Sequence, residues 1–302
     1  MRVRLRAPAQ VNLCLRVLGR RPDGYHEVVT TLLAVDLADA LEVALLPGTG
    51  RVHLGVSGAD DVPQDGTNLA ARAAAAVLER SGATGVDLAL ALGKAIPAAA
   101  GLGGGSSDAA AAALGAARAL RARGLDLAEL VGRLGSDCPF FLSGTGLARC
   151  TGRGESVQPL GPPPAWSLLL VTPAAAAPTA RVYAAWRAAD ARPASLEPDD
   201  WAALAPLEAR GRLLNDLEPA ALRAVPELRA WRALLDACGL SHARLAGSGS
   251  SFFALYGALE EAAEAARALS PAAGRAGLSP RFCGALRAAR SGVQVLSENT
   301  PE

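Results

Sequence analysis

Between residues 93 and 113 the chain reads GKAIPAAAGLGGGSSDAAAAA, and this is the stretch whose residue types could do chemistry. Gly101, Gly103, Gly104 and Gly105 can turn their N–H groups toward one point, because no Cβ obstructs the backbone. The alternation of Val86, Leu88, Leu90 and Leu92 ahead of the loop predicts a strand, and the alanine run behind it predicts a helix. A helix opening at Ser106, Ser107 and Asp108 adds unpaired N–H donors and the positive end of its dipole. Together these features make an anion cradle, whose usual guest is phosphate. A flexible linker ending in a Ser or Asp cap is disfavoured by four glycines and two serines packed between a strand and a helix. Two familiar phosphate binders are also excluded. No Lys follows the last glycine, and no G-x-G-x-x-G turn is followed by an acidic residue about twenty positions on.

The elements that must position this loop can be read on either side of it. Val11, Leu13, Leu15 and Val17 alternate with polar residues as in a half-buried strand, and Pro22, Asp23 and Gly24 mark a turn. Residues 33–36 and 41–45 read as strands, and Asn68 can cap a helix over 69–80 that stops at Gly82. The alanine helix runs on to Gly124, and a short helix spans 126–134. The Gly-Pro-Pro-Pro segment at 161–164, followed by a fresh strand at 167–171, is the best place for a domain junction. Beyond it, helical periodicity dominates from 179 to 238. A strand–turn–strand at 242–256, a helix over 259–269 and a last strand at 282–286 follow. Helices covering a few strands in this order suggest an α+β layer.

A length of 302 residues allows two ordinary domains. Lys and Arg number 30 against 29 for Asp and Glu, so no net charge recruits nucleic acid or an anionic membrane. Lys94 is the only lysine. The N-terminal stretch MRVRLRAPAQ is basic but lacks the apolar core of a signal peptide. No apolar run reaches the length of a membrane span. Cys14, Cys138, Cys150, Cys238 and Cys283 are odd in number and lack C-x-x-C spacing, so they read as buried thiols in a reducing, cytoplasmic setting.

The loop P-x-x-x-G-L-G-G-G-S-S, carried by Pro97, Gly101, Leu102, Gly103, Gly104, Ser106 and Ser107, resembles the phosphate loop of the GHMP kinases. That superfamily includes galactokinase, homoserine kinase and mevalonate kinase. Two further motifs in order resemble the same family: A-P-A-Q-V-N-L at 7–13 and L-A-G-S-G-S-S at 245–251, the latter being only a hairpin tip if taken alone. The resemblance implies an α+β protein of two domains. An N-terminal α/β domain with a left-handed β-α-β element would span 1–160, and a ferredoxin-like domain 161–302, with the active site in the cleft between them. It implies ATP and Mg²⁺. The glycine loop, Gly105 included, would hold the phosphates, with Asn68, Leu69 and Lys94 near the nucleotide and Ser106 or Ser107 helping to hold the metal.

Two more segments are similar to the branch of that family whose acceptor is a cytidine diphosphate conjugate. They are G-R-R-x-D-G-Y-H-E at 19–27 and L-G-S-D-C-P-F-F at 134–141. The implied reaction is transfer of phosphate to the 2-hydroxyl of the conjugate's methylerythritol part, on the non-mevalonate route to isoprenoids. Tyr25 and Tyr183 would then sandwich the base, which offers two π faces. His26 would bond the base edge, Asn12 and Thr179 would line the alcohol side, Asn215 and Asp216 would do so more loosely, and Asp137 would act as general base. Without the resemblance, Tyr25 reads as a turn aromatic, His26 as a loop polar residue and Tyr183 as the inner face of a helix. A GHMP kinase for another small alcohol is the alternative. No nucleic-acid or membrane partner is implied, and a monomer or weak homodimer is expected.

One position departs from the pattern. Where the family motif carries a lysine, this chain has Gln10. That lysine would sit near the catalytic Asp and keep it ionised. Glutamine orients a hydroxyl but brings no charge, and loss of one well-aimed donor costs about 10²–10³ in rate. Either another cation, among Arg20, Arg21 and Arg149, takes its place, or the chain is a nucleotide-binding homologue with weakened catalysis.

Overall fold

Two long antiparallel strands, β1 (Arg2–Arg20) and β2 (His26–Pro47), turn at residues 21–25 and form the spine of the molecule. The computed structural model describes residues 1–191 and 200–299. The sequence pattern predicts three short strands where these two run unbroken. From Ala7 to Leu15 every residue of β1 is buried, so no polar face alternates there. Register shifts at Pro8/Ala9, Asn12/Cys14 and Val17/Gly19 bend the pair, so that one hairpin serves two layers.

Strand β3 (Val52–Ser57) lies parallel to β4 (Val86–Gly93), and helix α1 (Leu69–Ser81) connects them. Asn68 caps α1 by accepting the Ala70 N–H at 2.9 Å, and Gly82 ends it in the left-handed region. Helix α2 (Gly104–Leu120) packs beside α1 on the sheet. Its alanines 109–113 are fully buried, which lets the helix approach both α1 and the sheet closely. At Gly115 an added Cβ would meet Val43 Cγ2 at 2.7 Å and Leu5 Cδ1 at 2.9 Å. Helices α3 (Leu127–Gly132) and α4 (Cys138–Leu142) and the hairpin β5 (Leu147–Gly152)–β6 (Ser156–Pro159) follow.

The C-terminal half holds β7 (Ser167–Pro173), α5 (Thr179–Ala185), α6 (Pro206–Arg212), β8 (Leu214–Asn215), α7 (Glu218–Ala224) and α8 (Glu227–Ala237). After these come β9 (Arg244–Leu245), β10 (Phe252–Tyr256), α9 (Leu259–Arg275), β11 (Pro280–Arg287) and β12 (Gln294–Asn299). Its antiparallel sheet has the order β11–β7–β10–β9, the arrangement of a ferredoxin-like split βαβ unit. The other sheet runs β12–β1–β2–β4–β3, with β5 on β2, β6 on β5 and β8 on β1. The fold is therefore α+β with two sheets, as the sequence implies. A shared core joins them: Val11, Leu13 and Val35 from the long hairpin meet Trp166, Leu168, Trp201 and Phe253.

Two readings change. Strand β12 has little apolar alternation, because it is a partly exposed edge, and pattern alone passes it over. Of the five free thiols, only Cys14, Cys138 and Cys150 are buried; Cys283 is half-buried and Cys238 is exposed. No helix among the described residues is long and apolar enough to cross a membrane.

Candidate active site

Three stretches far apart in sequence meet at Gly101. A Cβ there would lie 2.2 Å from the Ala246 carbonyl oxygen and 2.8 Å from that of Gly249, so the glycine loop rests directly on the Gly-Ser-Gly turn. Gln10 N–H donates to the Leu102 carbonyl at 2.9 Å, and Ser251 N–H donates to that of Ala100 at 3.1 Å. Gly103 sits at φ +69°, wedged so that a Cβ would meet Gln10 Cγ at 2.9 Å and Phe141 Cζ at 3.1 Å. It is also the N-cap of α2 and offers no side-chain cap. The first N–H groups of a 17-residue helix are thus left open toward the cleft. Such an uncapped end of a long helix suits an anion.

Beneath the loop, Lys94 is buried between two carboxylates. Its ammonium pairs with Asp39 and, at 2.7 Å, with Asp108. Asp39 also accepts the Ala95 and Ile96 N–H groups at 2.6 and 2.9 Å. Burial alone would lower the Lys94 pKa, but the charges of Asp108 and Asp39 override it and raise the value. Asp108 is pushed above the ordinary carboxylate range by burial, against the pull of Lys94. The cluster ties β4 to the first turn of α2 and fixes the base of the loop. One carboxylate oxygen, Asp108 Oδ1, finds no hydrogen-bond partner among the described residues, nor does Ser107 Oγ.

The cleft these elements frame holds about 630 Å³. Its walls include Gln10, Asn12, Tyr25, Asn68, Leu69, Lys94, Pro97, Gly101, Leu102, Gly103, Gly104, Gly105, Ser106, Asp137, Thr179 and Tyr183. Ser107, His26, Asn215 and Asp216, all singled out in the sequence, stand back from the wall. Ser107 is fully buried, so Ser106 is the loop hydroxyl at the cleft. His26 stacks behind Tyr183, with ring centroids 4.9 Å apart, and meets Trp186 edge-on at 5.7 Å. Burial, reinforced by the charge of Arg20, lowers the His26 pKa, so its ring is neutral at pH 7.

Asp137 occupies the N-cap position of α4, yet its side chain caps nothing. Burial pushes its pKa up to about 6, and no cation offsets the effect. Its charge also acts on Tyr183, whose hydroxyl is raised first by burial and then by Asp137. Gln10 is 2% exposed, and its Oε1 lacks a hydrogen-bond partner among the described residues. Asn12 donates to Thr30 Oγ1 at 2.8 Å and leaves its own Oδ1 unpartnered among them. Thr179 and Ser248 share a hydroxyl contact of 3.0 Å across the turn. Asn215 and Asp216 serve the framework: Asn215 Nδ2 donates to the Leu245 and Gly247 carbonyls, and Asp216 accepts the Val17 N–H.

None of Arg20, Arg21 and Arg149 lines the cleft. Arg21 pairs with Asp23 at 3.1 Å and Glu27 at 2.6 Å. The cation on the acceptor side is Arg153, whose guanidinium lies over the Tyr25 ring at 4.9 Å. Sequence reasoning passed over Arg153, although the flanking Gly152 and Gly154 signal a tight turn. It gives no role to Asp39, and it does not foresee the contacts of Asp108 or Ser248, which are long-range.

The donor set suits a hard cation. Ser106 Oγ and the carboxyls of Asp108 and Asp137 line the cleft with oxygen donors, the kind that Mg²⁺ takes. Among the described residues no cluster of three His, Cys, Asp or Glu side chains could hold a metal alone, so such an ion would lean on nucleotide phosphates.

Comparison with known proteins places the whole chain in a family. Residues 68–145 match the GHMP kinases N terminal domain, and residues 191–276 match GHMP kinases C terminal. The 4-diphosphocytidyl-2-C-methyl-D-erythritol kinase of Heliobacterium modesticaldum is 42% identical over 272 residues, covering 82% of this chain and 84% of that one. The enzyme of the same name from Thermus thermophilus is 42% identical over 268 residues, covering 87% and 91%. A crystal structure of 4-(cytidine 5'-diphospho)-2C-methyl-D-erythritol kinase superposes with a TM-score of 0.74 at 39% identity, covering 96% of this chain and all of that one. A homoserine kinase from Cytophaga hutchinsonii superposes at 0.71 with 17% identity over 98% and 97%, which is a likeness of fold alone.

Proposed function

The chain belongs to the GHMP kinase family, and on that premise we propose that it phosphorylates the 2-hydroxyl of 4-diphosphocytidyl-2-C-methyl-D-erythritol with ATP. The observation that carries the reading is the single cleft in which the open end of α2 and the uncapped carboxyl of Asp137 both stand. Phosphoryl transfer asks mainly for positioning and charge stabilisation, and the cleft supplies both. The N–H groups of Gly104, Gly105 and Ser106 hold the triphosphate, and Asn68 and Leu69 lie beside the nucleotide. Asp137 orients the hydroxyl. As its oxygen bonds to the γ-phosphorus, the bond to the β–γ bridging oxygen breaks, the proton passes to the Asp137 carboxylate, and ADP leaves. Ser106 would help hold a Mg²⁺ ion, which when bound would screen the charge on the triphosphate.

On the acceptor side, Gln10 Oε1 and Asn12 Oδ1 are buried acceptors in need of donors, which the hydroxyls of a polyol provide. Tyr25 and Tyr183 take the two faces of the cytosine, and His26 packs behind Tyr183 and supports that ring. The test is an assay with ATP, Mg²⁺ and, in parallel, the cytidine conjugate, mevalonate and homoserine. Transfer to the conjugate, with free CDP competing against it, is the expected result. Faster turnover of mevalonate or homoserine, or indifference to CDP, would overturn the assignment.

Position 10 favours a variant of this reading. With Gln10 neutral and no cation acting on Asp137 among the described residues, burial alone raises its pKa. The chain is then a functional kinase whose chemical step is slower than a lysine-bearing site would allow.

A further inference from the structure

We propose that Arg153 clamps the diphosphate of the acceptor, making it the binding and specificity residue for a diphosphate-linked alcohol. The inference rests on the reading above, that the acceptor joins a base to a polyol through a diphosphate. Arg153 stands at the tip of the β5–β6 hairpin, between Gly152 at φ +76° and Gly154 at φ +116°. A Cβ on Gly154 would lie 3.4 Å from Asp137 Oδ1, so the tip touches the reacting end of the cleft. From that tip the Arg153 side chain reaches back over the Tyr25 ring, at the base-stacking end. A single residue thus spans the interval between the two ends, which is where a diphosphate linking base to polyol must lie.

The charge inventory points the same way. Among the described residues lining the cleft, only Lys94 and Arg153 are cations, and Lys94 is committed to Asp39 and Asp108. Arg153 is held more loosely. Its backbone N–H donates to Glu155 Oε2 at 2.6 Å, which fixes the tip, whereas its Nε reaches Glu155 Oε1 only at 3.4 Å. Asp23 also feels the Arg153 charge. A phosphate can therefore draw the guanidinium away from a long, partly exposed contact and take two N–H bonds from it. Cation–π contact with Tyr25 keeps the fork near its target in the meantime.

The test compares ligands with and without the diphosphate. In Arg153→Gln, the KM for the conjugate and the Ki of CDP should rise roughly 10- to 100-fold, the range for a lost charged hydrogen bond. The Ki of cytidine and the KM for ATP should stay within about threefold, because neither ligand uses the fork. Arg153→Lys, which keeps the charge but not the bidentate geometry, should recover part of the CDP affinity. An unchanged Ki for CDP, or an equal loss for cytidine and CDP, would overturn the proposal. If the wild-type chain does not phosphorylate the conjugate, the functional reading fails instead, and the CDP-to-cytidine ratio still reports on Arg153 by itself.

Discussion

The two walls of the cleft are built from different materials. The donor wall is backbone: the glycine loop, the open end of α2 and a framework fixed by Lys94, Asp39 and Asp108, with little room to move. The acceptor wall is side chain: Gln10 and Asn12 with unpartnered oxygens, Tyr25 55% exposed, and Arg153 on a hairpin tip. On the proposed reading, backbone recognises what every substrate pair shares, the triphosphate, and side chains recognise what distinguishes this acceptor. The rigidity of one wall and the adaptability of the other follow from that division. Asp137 stands where the walls meet, on the fixed N-cap of α4 but without a cation.

The sharpest way to break the contrast is Gly101→Ala. The new methyl would enter the Ala246 carbonyl at 2.2 Å, and Gly101 lies at φ +77°, so the loop must shift. We expect ATP affinity to fall by about 10² or more while cytidine binding changes little, since a displaced loop loses several charged hydrogen bonds. Binding titrations of both ligands would show it, and equal losses would contradict the division of labour.

Gln10→Lys sharpens the same comparison with a smaller effect. A lysine here adds a positive charge at a position that lacks one, and we expect kcat to rise about tenfold or more. The pH profile gives the sign independently. Transfer needs ionised Asp137, whose pKa is raised to about 6, so wild-type kcat/KM should fall tenfold per unit as pH drops below about 6. A neighbouring cation favours the carboxylate and lowers that pKa. The acid limb of Gln10→Lys should therefore move to lower pH, and a limb that stays in place would mean that position 10 does not reach Asp137.

The donor wall was almost fully legible in the sequence, because glycines and a helix start are local signals. The Asn68 cap, the Gly82 stop and the onset of α2 near the serines could all be read from neighbouring residues. The long hairpin was legible only in pieces. Its centre is buried on both faces, and continuous apolar residues do not reveal where a strand begins. On the acceptor wall, Tyr25, Tyr183 and Asp137 were reached through family resemblance, not through periodicity. The Asp39–Lys94–Asp108 cluster and the contact of Arg153 with Tyr25 had no local signature, since those partners lie 14 to 128 positions apart in the chain. Nor could the sequence show that Ser107 turns inward while Ser106 faces the cleft.

The most direct measurement is turnover of the cytidine conjugate by Asp137→Asn, with ATP binding followed in the same preparation. Removing the proton acceptor while keeping its shape should lower kcat by about 10²–10⁴ and leave ATP affinity unchanged, because general-base assistance is lost and the amide cradle is intact. Wild-type turnover in that variant would contradict the assignment of Asp137 as the group that receives the hydroxyl proton.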